Sequence, residues 1–174
     1  QESESENFFF KTGEGELLKL YEYFDIDISF WKPTGCNSLQ STLIHLPNEI
    51  KTLLVHNTYT RAEDIEWAEN YSGKLYWCFC PNANLYIENK NPDYDLFIKA
   101  GARITIGTDS LASNWALSVL DELKTISKHA THISLEQLLC WATKNGAEFL
   151  GFDEELGTLE KDKCPGINLI ENLD

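Results

Sequence analysis

Length, composition and charge exclude several classes of protein. The 174 residues suffice for one domain with its own core, but they fall short of the ~250 residues of a complete eight-stranded βα barrel. The formal net charge of −14 argues against nucleic acid or an anionic membrane as a partner, because both attract basic surface. No run of about 18 apolar residues occurs, so we expect no membrane span, and the acidic residues 1–6 are unlike a signal peptide.

The apolar pattern predicts helices and strands in alternation along the middle of the chain. In chain order the predicted elements are helix 13–25, helix 37–46, strand 52–55, helix 61–71, strand 75–80, helix 91–101, strand 103–107, helix 115–128, helix 134–145 and a last short strand 167–170. Asn37, Asn91–Pro92 and Ser134 supply the helix-start signals. Strands that alternate with helices of this length indicate an α/β fold with parallel βα units.

The five cysteines favour a reducing compartment. Their number is odd, and no two of them have the C-x-x-C spacing of a structural zinc knuckle. Cys78 and Cys80 alternate along a predicted strand, and we expect their side chains to point to opposite faces. Free thiols predict a cytoplasmic protein. The chain has no methionine, even at position 1, so we expect that it does not start where its gene starts.

Polar side chains follow three predicted strands at the point where each strand ends. His56 follows the first strand, Asn82 and Asn84 follow the second, and Asp109 follows the third. The C-terminal ends of parallel strands meet at one rim of the sheet, which is the usual place for catalytic groups in βα folds. The sequence therefore predicts a site there. A structural reading stays open, in which Asp109 caps a loop or a helix and residues 80–84 form a turn.

A histidine and an aspartate from different strand ends suit a metal site. The imidazole nitrogen and the carboxylate oxygen are both ligands for zinc-like ions, although a catalytic zinc takes three protein ligands. His45, His129 and His132 lie on predicted helices or in a loop, and we read them as solvated or locally hydrogen-bonded. The residues alone therefore predict part of a metal site.

Five segments together resemble a known family. Leu53–Thr58, Cys80–Asn84 and Ile106–Ser110 resemble the last three barrel strands of the amidohydrolase superfamily. The resemblance is to its metal-dependent branch of aminohydrolases and chlorohydrolases, which includes cytosine, guanine and S-adenosylhomocysteine-type deaminases. Trp141–Gly151 resembles the helix after the barrel, and residues 157–170 resemble the return strand into the small β domain of that family.

The resemblance implies a fold and a division of the chain. Residues 1–151 correspond to the C-terminal half of a (β/α)8 TIM-type barrel, from about strand 5 to strand 8. Residues 152–174 correspond to the return segment toward the small β domain. The H-x-H pair of strand 1 and the histidine of the strand-5 motif are missing, so we expect a fragment of a longer enzyme.

The resemblance also implies roles for three residues. Asp109 corresponds to the metal-binding aspartate of strand 8, which takes a proton from the attacking water. His56 corresponds to the strand-6 histidine, which helps to hold the metal, its water or the substrate. Glu2 corresponds to the general acid/base glutamate of an H-x-x-E motif, with Glu4 and Glu6 close enough to leave its register open.

The implied function is that of a metal-dependent hydrolase acting on C–N bonds other than peptide bonds. The expected reaction is deamination of a purine, a pyrimidine or a related heterocycle by a metal-activated water, with zinc as the divalent metal and iron as the alternative. A chlorohydrolase or cyclic-amide hydrolase is the alternative within the family. A catalytically inactive βα module, either a pseudoenzyme or a binding domain, is the alternative outside it.

The expected partners follow from the same resemblance. Besides a small-molecule substrate, half a barrel needs something to cover its open sheet, either a second copy or the missing N-terminal half. We expect Leu53, Val55, Ile104 and Ile106 to contribute to that open face. The 174 residues by themselves are expected to be inactive.

Overall fold

The computed structural model describes residues 1–171, in which the chain forms three strands and nine helices. The strands are β1 (Thr52–Val55), β2 (Leu75–Phe79) and β3 (Ile104–Ile106). The helices are α1 (Glu4–Thr12), α2 (Glu16–Tyr23), α3 (Ser38–Leu43), α4 (Ala62–Tyr71), α5 (Pro81–Glu88), α6 (Tyr94–Lys99), α7 (Val119–His129), α8 (Leu135–Ala142) and α9 (Lys144–Leu150). Within this part of the chain no helix is both long and apolar enough to cross a membrane.

The three strands form one parallel sheet in the order β1-β2-β3. Leu54 pairs with Trp77, and Trp77 pairs with Ile104, so the strands run side by side without a register offset that would separate their ends. Every residue of the central strand β2 is buried. The strands predicted at 52–55, 75–80 and 103–107 and their parallel arrangement are therefore confirmed, and their C-terminal ends share one rim.

One face of the sheet carries the main core. Leu54, Trp77, Phe79 and Ile104 pack there against helices α4, α6, α7 and α8. This placement corrects the prediction that Ile104 and Ile106 contribute to an open face, because both belong to the helix-covered side. Alternation along the strands is the reason: residues one position apart point to opposite faces.

The opposite face of the sheet is smaller and less covered. Leu53 packs there with Cys78, Cys80 and Ala83, and Val55 at the end of β1 is 40% exposed. Cys78 and Cys80 therefore lie on the same face, and the prediction of opposite faces is wrong. Residues i and i+2 of a strand share a face, which is the period-2 rule correctly applied.

Helix starts were predicted well where a cap residue marks them. The side chain of Asn37 accepts a hydrogen bond from Gln40 N, and that of Ser134 accepts one from Gln137 N. The helix predicted from Asn91 begins later, because Asp93 rather than Asn91 is its N-cap and α6 covers only Tyr94–Lys99. The helix predicted over 134–145 is two helices, α8 and α9, divided at Thr143.

Two helices were not predicted from the sequence, and one predicted strand does not form in the described residues. The acidic start of the chain is helical in α1, where Ser3 caps Glu6 N, and the segment after Cys80 is helix α5 with Pro81 in its first turn. Residues 167–170 form no strand, so the expected return strand is absent from the described residues. The sheet has three strands where about four were expected, because residues 1–3 belong to no strand and α1 begins at Glu4.

Candidate functional site

The predicted residue His56 lies at the end of β1 and is held by the next βα unit. Its Nδ1 atom lies 2.8 Å from Oδ1 of Asn84, a residue of α5 that is only 1% exposed. Since Asn84 Oδ1 can only accept, Nδ1 carries the proton and donates it. In the neutral ring Nε2 then keeps its lone pair and is free to bind a ligand.

Two carboxylates flank the free nitrogen of His56. Oε1 of Glu2 and Oδ2 of Asp109 each lie 3.9 Å from His56 Nε2. The His56 side chain is mostly buried at 15% exposure, whereas those of Glu2 and Asp109 are 41% and 30% exposed. The structure thus brings together His56, Asp109 and Glu2, the three residues for which the resemblance implies roles, at the rim predicted for His56 and Asp109.

Glu2 reaches this rim because the neighbouring residue is anchored. The backbone carbonyl of Gln1 accepts from Tyr59 N at 3.1 Å, and its side-chain amide donates to Asp64 Oδ2 at 3.3 Å. The backbone N–H of Glu2 donates to Glu6 Oε2 at 2.8 Å. Glu6 is therefore engaged with the backbone, and Glu2 is the glutamate of this segment whose carboxylate faces His56.

Asp109 is kept ionised by its own loop. Ser113 Oγ donates to Asp109 Oδ2 at 2.5 Å. This hydroxyl, followed by the backbone N–H of Ser110 and by His56, lowers the pKa of Asp109 below its ordinary value, although partial burial opposes the change. A carboxylate that stays ionised is suited both to bind a cation and to accept a proton.

The backbone at this rim is strained. His56, Asn57 and Asp109 have φ values of +68°, +59° and +56°, in the left-handed region that non-glycine residues rarely occupy. Asn57 is 2% exposed, and its amide donates to Leu54 O at 2.7 Å, which holds the turn after β1. Strain of this kind concentrates at functional sites, where packing holds residues in unfavourable conformations.

A buried polar network lies behind the rim, and nothing in the sequence beyond the residue types predicts it. Glu122 of α7 is 0% exposed, and its two carboxylate oxygens accept from Asn82 N at 2.8 Å and from Asn114 Nδ2 at 2.7 Å. Asn114 Nδ2 also donates to Thr108 O at 2.5 Å. Thr125 of α7 donates to Asn82 Oδ1 at 2.6 Å. The predicted residue Asn82 therefore faces this network and not His56.

Two thiols and a glycine occupy the sheet face next to the site. A Cβ atom added to Gly107 would lie 2.9 Å from Cys78 Sγ and 3.3 Å from Cys80 Sγ. Position 107 therefore has no room for a larger side chain. The hydrogen bond with the Cys78 thiol, followed by burial and by the charges of Asp109 and Glu122, raises the pKa of the Cys80 thiol, so it is protonated at neutral pH.

The other predicted histidines lie outside this arrangement. His132 Nε2 lies 2.7 Å from Asp95 Oδ1, and His129 Nδ1 lies 2.9 Å from Thr125 O, so both have local partners on the surface. The prediction that they are locally hydrogen-bonded is confirmed. Neither histidine is brought to the rim that carries His56.

The donor set at the rim fits part of a metal site. Two ligands of one tetrahedral zinc lie about 3.3 Å apart, so the 3.9 Å between His56 Nε2 and Asp109 Oδ2 would close by about half an ångström around a shared ion. Residues 1–171 contain no group of three or more His, Cys, Asp or Glu side chains arranged to hold an ion. His56 and Asp109 therefore fit a metal as two of its ligands.

The chain belongs to the amidohydrolase family, whose profile it matches over residues 10–172. The match covers nearly all of the chain. The resemblance seen in the segments at the three strand ends is therefore confirmed at the level of the family.

The relatives include deaminases. The chain is 31% identical over 130 residues to 5-methylthioadenosine/S-adenosylhomocysteine deaminase of Teredinibacter turnerae, which covers 71% of the chain and 29% of that protein. It is 32% identical over 157 residues to aminodeoxyfutalosine deaminase of Nitratiruptor sp., covering 87% of the chain and 36% of that protein. The chain thus spans about a third of the length of these relatives.

Solved structures agree with the fold. The crystal structure of Helicobacter pylori aminofutalosine deaminase is similar with a TM-score of 0.79 and 25% identity, over 93% of this chain and 40% of that one. A zinc-bound adenosine deaminase of Xanthomonas campestris, at 22% identity and a TM-score of 0.62, shares the fold over 88% of this chain and 34% of that one. The parallel α/β sheet is therefore the kind found in amidohydrolase barrel proteins.

Proposed function

We propose that this chain is the C-terminal part of a metal-dependent deaminase that removes the amino group of an adenosine-type nucleoside. Its strands β1, β2 and β3 would be the last three of the eight barrel strands. The named relatives support this proposal, since they act on 5-methylthioadenosine, S-adenosylhomocysteine or aminodeoxyfutalosine. Five unpaired cysteines are consistent with a cytoplasmic location.

The observation that carries the proposal is the convergence on His56 Nε2. His56 Nε2 lies 3.9 Å from two carboxylates, which belong to separate segments of the chain. Such an arrangement is unusual where the residues have only a structural role. A carboxylate with a structural role beside a histidine tends to form a hydrogen bond with it. Here Asn84 forms the hydrogen bond with His56, and the two carboxylates lie 3.9 Å from Nε2, beyond hydrogen-bond distance. The space between them suits an ion or a reacting water.

The chain's own residues divide the proton transfers. Water adds to the ring carbon that bears the amino group, the C–N bond breaks and ammonia leaves. Asp109, ionised because of its lowered pKa, accepts a proton from the attacking water. Glu2, on the other side of His56, donates a proton in its acid form to the amino group, which leaves as ammonia, and the proton taken up by Asp109 then restores the acid form of Glu2. His56 orients the water or the substrate through Nε2.

A divalent metal, with zinc favoured and iron as the alternative, supplies the remaining chemistry by lowering the pKa of a water toward ~7. His56 and Asp109 would hold it together with further ligands, because a catalytic zinc takes three protein ligands. By elemental analysis, the 174-residue chain alone is expected to hold well under one metal per chain, and the complete protein about one.

The direct test is an assay of the complete protein to which this chain belongs. Ammonia release should be measured with 5-methylthioadenosine, S-adenosylhomocysteine and adenosine, and with cytosine and guanine for comparison. Turnover of at least one adenosine compound is expected, and Asp109→Asn should reduce it by ~10²-fold or more, because the proton acceptor is lost. The matched control is Asp121→Asn, an exposed aspartate of α7 that pairs with Lys124.

Two outcomes would replace the proposal. Ammonia release from cytosine or guanine alone would move the substrate to another branch of the family. A complete protein that is folded and metal-loaded, yet inert toward every compound, would favour the inactive βα module. In that case Asp109→Asn would change neither turnover nor ligand binding.

A further inference from the structure

We propose that Glu122 is a positioning residue, whose buried carboxylate fixes the start of α5 and the loop after β3 relative to each other and thereby sets the distance between His56 and Asp109. The catalytic meaning of this inference rests on the proposed function. Its structural content, that one carboxylate joins the start of α5 to the loop after β3, can be tested without any substrate.

The first part of the argument is where the two carboxylate oxygens go. One accepts the backbone N–H of Asn82, at the start of α5, and the other accepts the side-chain amide of Asn114, in the loop after β3. Among residues 1–171, Glu122 is therefore the one side chain that accepts hydrogen bonds from both segments. Thr125, three residues further along α7, adds a second bond to Asn82.

The second part of the argument is which site residue each of the two segments supports. Asn82 lies two residues before Asn84, which holds the imidazole of His56 at 2.8 Å. Asn114 donates to the carbonyl of Thr108, the residue immediately before Asp109. A displacement of either segment would therefore pass to His56 or to Asp109 through only one or two residues. Asp109 also needs help to keep its positive φ of +56°.

The third part is why the residue must be an anion. Both partners of Glu122 are N–H donors, so the position needs two acceptor oxygens. A glutamine would present one oxygen and one NH2 group, and the NH2 group would face a donor. Complete burial makes a carboxylate costly here, and a purely structural position would be filled more cheaply by an apolar residue. Two charge-assisted hydrogen bonds offset part of that cost.

The test is Glu122→Gln in the complete protein, with Asp121→Asn as the matched control on the same helix. The first measurements are the zinc affinity of the metal-free protein and the 15N NMR signals of the His56 imidazole. The values of kcat and KM are measured second. Glu122→Gln is expected to lower zinc affinity and kcat by about 10–100-fold, the range for residues that support metal ligands, with KM changed little. Asp121→Asn should match the unsubstituted protein in all four.

Glu122→Asp and Asn114→Ala complete the design. The aspartate keeps both acceptor oxygens on a shorter side chain and should restore part of the zinc affinity lost in Glu122→Gln. Asn114→Ala cuts the link to Thr108 without changing a charge, so it serves if Glu122→Gln does not fold. It should weaken zinc binding in the same direction.

Each result bears on the inference separately from the deaminase proposal. A Glu122→Gln protein that melts earlier, but keeps its zinc affinity and its His56 NMR signals, would show a purely structural role and overturn the inference. If the unsubstituted protein shows no deaminase activity, the proposed reaction is wrong. The zinc affinities and the NMR signals of the variants still decide whether Glu122 positions the start of α5 and the loop after β3.

Discussion

The imidazole of His56 is oriented by Asn84, whose Oδ1 lies 2.8 Å from Nδ1, and not by either carboxylate beside it. Glu2 and Asp109 both stand 3.9 Å from the opposite ring nitrogen. The ring is thus held at Nδ1 by a buried amide, and Nε2 faces the two carboxylates. Four side chains at the start of α5, residues 81–84, are buried, so the support itself is rigid.

Replacing Asn84 should therefore impair His56 without removing it. Asn84→Ala deletes the acceptor of the Nδ1 proton, and loss of such a supporting partner typically costs 10–100-fold in metal affinity or activity. We expect that loss in the zinc affinity of the complete protein. Asn84→Asp keeps an acceptor at the same place and should retain more affinity than Asn84→Ala.

A suitable control for Asn84 is Asn70→Ala, which removes an exposed amide from α4. It should leave zinc affinity unchanged. Equal losses in Asn84→Ala and Asn84→Asp would indicate that the amide matters for a reason other than its acceptor oxygen.

A side chain at position 107 should collide with the thiols behind the site. In Gly107→Ala the new Cβ would lie 2.9 Å from Cys78 Sγ, closer than real contacts allow. Overpacking of this kind costs about 1–3 kcal/mol of stability, which urea unfolding can measure. Cys78→Ala in the same chain makes room, so the double variant should be more stable than the sum of the two single changes predicts.

Gly73→Ala is the matched control, since nothing lies within 4 Å of a Cβ added there. Its stability should stay close to that of the unsubstituted protein. If Gly107→Ala were equally harmless, the thiols would have to yield to the methyl group without cost.

The chain on its own should associate. Val55 is 40% exposed at the end of an edge strand, on the sheet face that carries no main core. Unpaired strand edges and exposed apolar surface both favour pairing, either with a second copy or with the rest of the proposed barrel. Light scattering at micromolar concentration should show a dimer or larger species. Val55→Lys should weaken association more than Leu135→Lys, which places the same charge on an exposed helix position.

A compact monomer of the unsubstituted chain under those conditions would contradict this prediction. Equal effects of Val55→Lys and Leu135→Lys would also contradict it, because they would point to net charge and not to the sheet face.

Glu122 should give stability a distinctive pH dependence. Burial raises its pKa above the ordinary 4.5, although its hydrogen bonds with Asn82 and Asn114 oppose the change. Between pH 4.5 and the raised pKa the folded state binds more protons than the unfolded state, so stability falls as pH rises through this window. Asp109, with a lowered pKa, acts in the opposite sense and only around or below its ordinary 3.8.

Urea unfolding from about pH 4.5 to neutrality would measure this dependence, with Glu122→Gln as the variant that lacks the titrating group. The stability of the unsubstituted protein relative to that of Glu122→Gln should decrease as pH rises. An increase would mean that the two N–H donors stabilise the anion by more than burial destabilises it.

The parallel sheet and the proximity of His56 to Asp109 could be predicted, because both follow from the local pattern of apolar and polar residues. Apolar runs of strand length, separated by helices, require parallel strands, and polar residues just past each strand then share a rim. Helix α5 could not be read in this way. Pro81, Asn82 and Asn84 resemble a turn by residue type, and their helical state depends on burial against α7, which is tertiary information.

The role of Glu122 was hidden for a related reason. An acidic residue in the first turn of an amphipathic helix normally indicates a favourable helix dipole and a solvated side chain. Only the three-dimensional arrangement shows that its oxygens are enclosed by Asn82 and Asn114. The sheet face on which Ile104 lies could, by contrast, be predicted from the alternation of side chains along the strand. The prediction is wrong because it takes the barrel interior to be the apolar side, whereas Ile104 packs on the helix-covered side.

The left-handed backbone conformation of His56 and Asp109 creates a conflict between thermal stability and the proposed activity. Each residue holds a positive φ that costs about 1–3 kcal/mol for a side chain with a Cβ, and glycine adopts the same angle freely. A laboratory selection for heat-resistant variants would therefore enrich glycine at positions 56 and 109. Those variants would lack the imidazole and the carboxylate, so a stabilising library for this protein has to keep both positions fixed.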